Sequence, residues 1–257
     1  MKKEEHTVNQ DNKQANRVVL VTGAARRVGA AVAEACHAAG FRVAIHCRHS
    51  LTEAHELAAK LNALRPDSAA VFPADLADPA IAPLLIEHVL DWTGRLDLLV
   101  NNASLFFRTD YNSMNMDDWH SLFTVNVQTP FALSIAARPA LAAQQGSIVN
   151  ITDIHAERPL KGYSVYCQSK AALMMQTRSL AREFAPDVRV NAVAPGSVAW
   201  PEQDNALSAD IQKTIIASTP LKRHGTPEYI AQAVLALAEN TFVTGQILNV
   251  DGGRSIL

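Results

Sequence analysis

From Arg17 onward, short runs of aliphatic residues alternate with longer Ala-rich stretches of helical spacing. Val18-Val19-Leu20-Val21 is apolar at every position, as a strand buried on both faces must be. It leads through a Gly-containing turn into a helical run, Ala30 to Ala39, stopped by Gly40. Arg42 to His46 predicts a second strand, Leu51 to Leu64 a second helix closed by Pro66, and Ala69 to Pro73 a third strand. Ile81 to Trp92 then reads as a third helix and Leu96 to Val100 as a fourth strand. A long helical stretch runs from about Met116 to Ala143, with Pro130 and Pro139 marking kinks or its end. Ser147 to Ile151, Val188 to Val193 and Gln246 to Val250 supply the fifth, sixth and seventh strands. Strand and helix alternating in this way predict an α/β chain with a seven-stranded parallel sheet, helices on both faces, and ligands at the carboxyl ends of the strands.

With 257 residues, 48% hydrophobic and 19% charged, and no Pro/Gly/Ser-rich linker, one domain over residues 17–257 is expected. A net charge of -2 gives no electrostatic reason to expect nucleic acid or an anionic membrane, so a small molecule is the expected partner. Cys36, Cys47 and Cys167 are too few and too far apart for a disulfide framework or a metal site, which suits a reducing compartment. Residues 1–16 are polar throughout and predict a disordered tail without a signal peptide. No run reaches the ~20 apolar residues of a membrane span, so the expected location is cytoplasmic.

The chemistry concentrates at strand ends. Between the first strand and helix lies Thr22-Gly23-Ala24-Ala25-Arg26-Arg27-Val28-Gly29, where glycine lets backbone amides approach a pyrophosphate at a helix N-terminus. The second strand ends in His46-Cys47-Arg48-His49-Ser50, with no acid to hold a ribose diol; Arg48, with His49 and Ser50, suits a 2′-phosphate and so NADPH over NADH. Asp75-Leu76 follows the third strand, where an acid can accept from an adenine amino group, and Asn101-Asn102-Ala103-Ser104 follows the fourth. The run from Asp153 to Lys170 places Tyr166 and Lys170 one helical turn apart. A phenol titrates near ~10, and an adjacent ammonium favours phenolate, so the pair can supply the proton that hydride transfer requires. Tyr and Lys at this spacing also arise by chance; the upstream pattern is what gives the pair weight.

These motifs, in this order and spacing, resemble the short-chain dehydrogenase/reductase superfamily from residue 17 onward. The resemblance implies a Rossmann-type doubly wound fold, with Tyr166 as proton donor, Lys170 binding the nicotinamide ribose and lowering the Tyr166 pKa, and Asn126, in a helix, holding a water by the lysine. It implies NADPH contacts from Gly23, Arg27, Val28, Gly29, His46, Arg48, His49, Ser50, Asp75, Leu76, Asn102, Ala103, Ser104, Thr152, Tyr166, Lys170, Pro195, Gly196 and Ser197, and no metal. Two departures narrow it: Asp153 stands where the superfamily has Ser, thirteen residues before Tyr166, and Arg27 replaces the middle glycine of the turn. Both, with Leu105-Phe106-Phe107 after Ser104, look like the pteridine reductases, including bacterial dihydromonapterin reductase-like members.

In that subfamily the Asp works with the Tyr, the turn Arg reaches substrate and cofactor phosphate, the Ser hydrogen-bonds the pterin and an aromatic stacks on it. The implied substrate residues are Arg27, Ser104, Phe106, Asp153 and Tyr166, with Phe107 competing for the stack. A substrate loop is expected at about 196–219, where Trp200, Pro201, Glu202 and Gln203 diverge and Trp200 either covers ligand or packs on a neighbour. The expected activity is NADPH-dependent reduction of a C=N bond in a pterin or folate by a homotetramer. The rivals are a carbonyl reductase of the same superfamily, such as a 3-oxoacyl-carrier-protein reductase, and a non-catalytic NADPH sensor.

Overall fold

A computed structural model of the chain describes residues 16–110, 112–113, 115–200 and 206–256. The expected tail lies outside the described residues but for Asn16, as do Pro201, Glu202 and Gln203. In chain order the elements are β1 (Val18–Val21), α1 (Arg27–Ala38), β2 (Arg42–Cys47), α2 (Leu51–Leu64), β3 (Ala69–Pro73), α3 (Ala82–Thr93), β4 (Leu98–Asn101) and α4 (Met116–Phe123). There follow α5 (Thr129–Ala143), β5 (Ser147–Ile151), α6 (Ser164–Phe184), β6 (Arg189–Pro195), α7 (Ala209–Ser218), α8 (Pro227–Glu239) and β7 (Ile247–Val250).

The seven strands form one sheet in the order β3-β2-β1-β4-β5-β6-β7, every pairing parallel. Successive strand side chains point to opposite faces, so β1 sends Val19 and Val21 to one core and Val18 and Leu20 to the other. The first core is closed by α1, α2 and α8 through Val32, Leu57, Ile230 and Val234; the second by α3, α5 and α6 through Leu85, Leu133, Leu141 and Leu180. The chain winds outward from β1 to β3, then resumes on the other side of β1 at β4. That reversal opens a crevice at the carboxyl ends of β1 and β4.

Two expectations are corrected. Met116 to Ala143 is not one helix bent at its prolines: Thr124–Gln128 forms a π-type turn between α4 and α5, Pro130 sits in the first turn of α5, and Pro139 lies inside α5 without ending it. The first helix starts at Arg27 rather than Ala30. Helices α7 and α8 had no counterpart in the strand-led reading, although Ser208 caps one and Thr226-Pro227 opens the other.

Candidate active site

The crevice is a cavity of about 630 Å³ lined by the β1–α1 turn, the ends of β2 and β4, and the segment after β3. Gly23 takes a positive φ of 61°, and a Cβ on Gly29 would lie 2.2 Å from the Gly23 carbonyl, so the turn closes against the start of α1 only because both side chains are absent. Asn102 clasps this turn: its Nδ2 donates to the carbonyls of Thr22 (2.8 Å) and Gly23 (3.1 Å), while the Thr22 hydroxyl accepts from the Asn102 and Ala103 amides. No side chain caps α1, which leaves its first amides open to the cavity. Arg27 occupies the glycine position with a φ of 56°, a left-handed backbone that costs a branched-out side chain on the order of 1 kcal/mol. Its guanidinium donates to the Trp200 carbonyl at 2.8 Å, and the Trp200 ring stacks on His224 at 4.0 Å.

His46 lines the same cavity, but both ring nitrogens are engaged. Nδ1 accepts from the Gly23 amide at 3.0 Å and Nε2 donates to the Ala74 carbonyl at 3.1 Å. Burial pushes its pKa down to about 4, offset in part by the Ala74 bond and by Asp75, so the ring is neutral. Beside it Arg48 faces Asp75 at 3.7 Å, both half exposed. Cys47, also on the lining, was missed in the sequence because a lone Cys carries no ligand signal.

At the end of β5 stands the second cluster. The Tyr166 hydroxyl donates to Asp153 Oδ2 at 2.8 Å, while Oδ1 accepts from the His155 amide at 2.8 Å. Lys170 is buried and donates from Nζ to the Ile151 carbonyl at 3.0 Å, 5.8 Å from the Tyr166 ring centre. Burial, then the Asp153 charge and hydrogen bond, push the Tyr166 phenol well above its ordinary range; burial pulls Lys170 down to about 8, against the pull of Asp153. The net shift of the phenol is therefore upward, opposite to the direction expected from Lys170 alone, and desolvation and a carboxylate at hydrogen-bond distance set it.

Asn126 is buried between the two clusters. It lies in the π-type turn rather than in a regular helix. Its Oδ1 accepts from the Ser104 hydroxyl and the Leu105 amide, and its Nδ2 donates to the Leu105 carbonyl and the Ser169 hydroxyl, which fills the capacity of an amide side chain. The side chain thereby pins Ser104 and Leu105 and ties them to Ser169. Phe106 stacks on Tyr163 (4.6 Å, 12°) and meets Tyr166 edge-on (4.8 Å, 83°). Phe107 packs against the same small apolar cluster.

Of the expected cofactor residues, Gly23, Arg27, Val28, Gly29, His46, Arg48, His49, Ser50, Asp75, Leu76, Asn102, Ala103 and Ser104 are brought together on the cavity wall. Thr152, Tyr166, Lys170, Pro195, Gly196 and Ser197 are not. The Thr152 hydroxyl donates to the Val193 carbonyl, the Gly196 amide donates to Val250, and Ser197 accepts from Arg254 Nη1 beside a separate cavity of about 510 Å³. No described helix is long and apolar enough to cross a membrane, and no metal-binding cluster occurs among the described residues.

Residues 23–255 match the family described as enoyl-(acyl carrier protein) reductase. The chain belongs to the short-chain dehydrogenase/reductase superfamily. It is an oxidoreductase of that superfamily, and its relatives there span different substrates. A putative ketoacyl reductase of granaticin polyketide synthesis from Streptomyces violaceoruber is 38% identical, over 93% of this chain and 96% of the relative. Pteridine reductase 1 of Leishmania tarentolae is 35% identical over the same shares of the two chains. The structure of FolM alternative dihydrofolate reductase 1 from Brucella suis in complex with NADP superposes with a TM-score of 0.88, at 36% identity, covering 95% of this chain and 97% of that one.

Proposed function

We propose that the chain is an NADPH-dependent pteridine reductase that reduces a C=N bond of a dihydropterin or pterin, with dihydrobiopterin, dihydromonapterin and dihydrofolate as its candidate substrates. The observation that carries this reading is the 2.8 Å hydrogen bond from the Tyr166 hydroxyl to Asp153. A ketone becomes an alkoxide, and a hydroxyl donor serves it. A heterocyclic imine needs a proton at nitrogen and a partner for its amino-pyrimidine edge, and a carboxyl group can both accept and relay a proton.

The cavity suits a dinucleotide. Its glycine turn admits close backbone approach, the uncapped start of α1 offers amides to a pyrophosphate, and Arg48, His49 and Ser50 on its wall offer a cation and a hydroxyl suited to a 2′-phosphate. The NADP held by the Brucella suis relative supports the same cofactor. When bound, NADPH supplies the hydride. Lys170 would hold the ribose hydroxyls, Ser104 would hydrogen-bond the pterin, Phe106 would stack on it, and Arg27 would reach substrate and cofactor phosphate. Tyr166, its proton retained by burial and by Asp153, releases that proton only as negative charge develops on the substrate nitrogen. Exposed Phe131 and Ile135 on α5 and Met175 on α6 supply an apolar face for the proposed tetramer, which sedimentation would count.

The Streptomyces relative favours a second reading, reduction of a carbonyl in an acyl chain. NADPH oxidation with dihydrobiopterin, dihydromonapterin, dihydrofolate and an acetoacetyl thioester separates the two. Turnover of a pterin is expected; turnover of the thioester alone assigns the chain to the carbonyl branch.

A further inference from the structure

Arg108 extends the aromatic cluster beside Tyr166 and carries a charge that nothing described answers. It is exposed, and it makes no hydrogen bond or ion pair with a described residue. Yet it is held in place. Its guanidinium carbon lies 5.8 Å from the centre of the Tyr163 ring, close enough for a cation–π contact. A Cβ on Gly162 would come within 2.9 Å of its Nη2, so the guanidinium rests in space left by the missing side chain. The backbone beneath it is fixed too, because the Thr109 amide donates to the Gly162 carbonyl at 2.9 Å.

The nearest acid in sequence, Asp110, is turned to its own loop, its Oδ1 accepting from the backbone and side-chain amides of Asn112. The Tyr163 ring that carries the guanidinium also carries Phe106, which in turn meets Tyr166. A cation is thus placed one ring away from the residue proposed to stack on substrate, at the exposed rim of the cluster.

Resting on the pteridine reductase reading, we propose that Arg108 is a specificity-determining residue that recognises a carboxylate on the tail of the substrate, so that the site favours folate-type pterins over pterins with a neutral hydroxyalkyl chain. A flat heterocycle held against Phe106 directs any long substituent out past the rim. Only a substituent ending in a carboxylate can use the bidentate donor fork there, whereas a hydroxyalkyl chain gains little from it.

The test compares kcat/KM for dihydrofolate and for dihydrobiopterin in the full chain and in Arg108→Gln and Arg108→Glu, with NADPH affinity measured alongside. Arg108→Gln is expected to raise KM for dihydrofolate roughly five- to tenfold, the range of a single charge-assisted contact at a solvated site. Dihydrobiopterin should stay within about twofold, NADPH affinity should be unchanged, and Arg108→Glu should widen the gap. If the unaltered chain reduces both pterins and Arg108→Gln affects them alike, this proposal fails and the pteridine reductase reading stands. If the unaltered chain reduces neither, that reading fails and takes the proposal with it.

Discussion

Asp153 and Tyr166, thirteen residues apart, share one hydrogen bond: the phenol donates to Oδ2 at 2.8 Å while Oδ1 caps the turn that follows through the His155 amide. The carboxylate is thus fixed at both oxygens, and the phenol proton is held rather than shed. Asn at position 153 could keep the cap and accept from the phenol but could not pass a proton on. Asp153→Asn should therefore fold normally and lose about 10²-fold or more in kcat for a pterin, the usual scale for a general acid. NADPH affinity should hold, since Asp153 is not on the wall of the dinucleotide cavity. Steady-state rates with fluorescence titration of NADPH check both; an unchanged kcat would remove Asp153 from the proton path.

Under the proposed function, Arg48 is the residue assigned to coenzyme choice, and it acts through charge. It is half exposed and 3.7 Å from Asp75, a weak surface pair that can rearrange around a bound phosphate. Arg48→Glu would place a second carboxylate beside Asp75 and repel a 2′-phosphate. NADPH KM should rise at least about tenfold, the effect of losing one charge-assisted contact, while NADH KM changes far less. Parallel kinetics with the two coenzymes read the ratio directly.

His46 couples the glycine turn to the end of β3 and does so only when neutral, because Nδ1 accepts from the Gly23 amide. Its folded pKa of about 4 lies below the ordinary 6.5, so between these values the unfolded chain binds the extra proton. The stabilising contribution is whole above about 6.5 and is lost as pH falls through about 4, amounting to on the order of 3 kcal/mol. Urea unfolding at a series of pH values should follow that slope. His46→Gln, which keeps one donor and one acceptor without titrating, should flatten it; an identical slope in the variant would sink the assignment.

The sheet and the cofactor wall were legible because they depend on local pattern. Val18–Val21 is apolar at every position, and Gly23, Arg48 and Ala103 each follow a strand. What escaped reading depends on partners far along the chain. The partners of the His46 ring, Gly23 and Ala74, and those of the Asn126 amide, Ser104, Leu105 and Ser169, lie more than twenty residues away and leave no local signal. The phenol's shift reversed sign for a similar reason: helical spacing reveals Lys170 but not how deeply both groups are buried or that Asp153 is nearer. The π-type turn at Thr124–Gln128 has no composition signal, and within it Val125 and Asn126 are buried.

Arg27 separates strain from function. It holds a left-handed φ of 56° where glycine would rest without penalty, and from there its guanidinium reaches the Trp200 carbonyl across the cavity mouth. Under the proposed function, that left-handed backbone is strain stored beside the cofactor turn. Two substitutions isolate the parts. Arg27→Ala removes the guanidinium and keeps the strain; Arg27→Gly removes both. The two should lose comparable NADPH affinity and turnover, yet Arg27→Gly should be the more stable by about 1 kcal/mol, or roughly 2–4 °C in Tm for a chain of this size. Differential scanning calorimetry beside coenzyme titration reads the two effects independently. Equal melting temperatures for the variants would mean that the turn relaxes out of its left-handed form once the guanidinium is gone, and that Arg27 itself, rather than the glycine-turn backbone, holds it there.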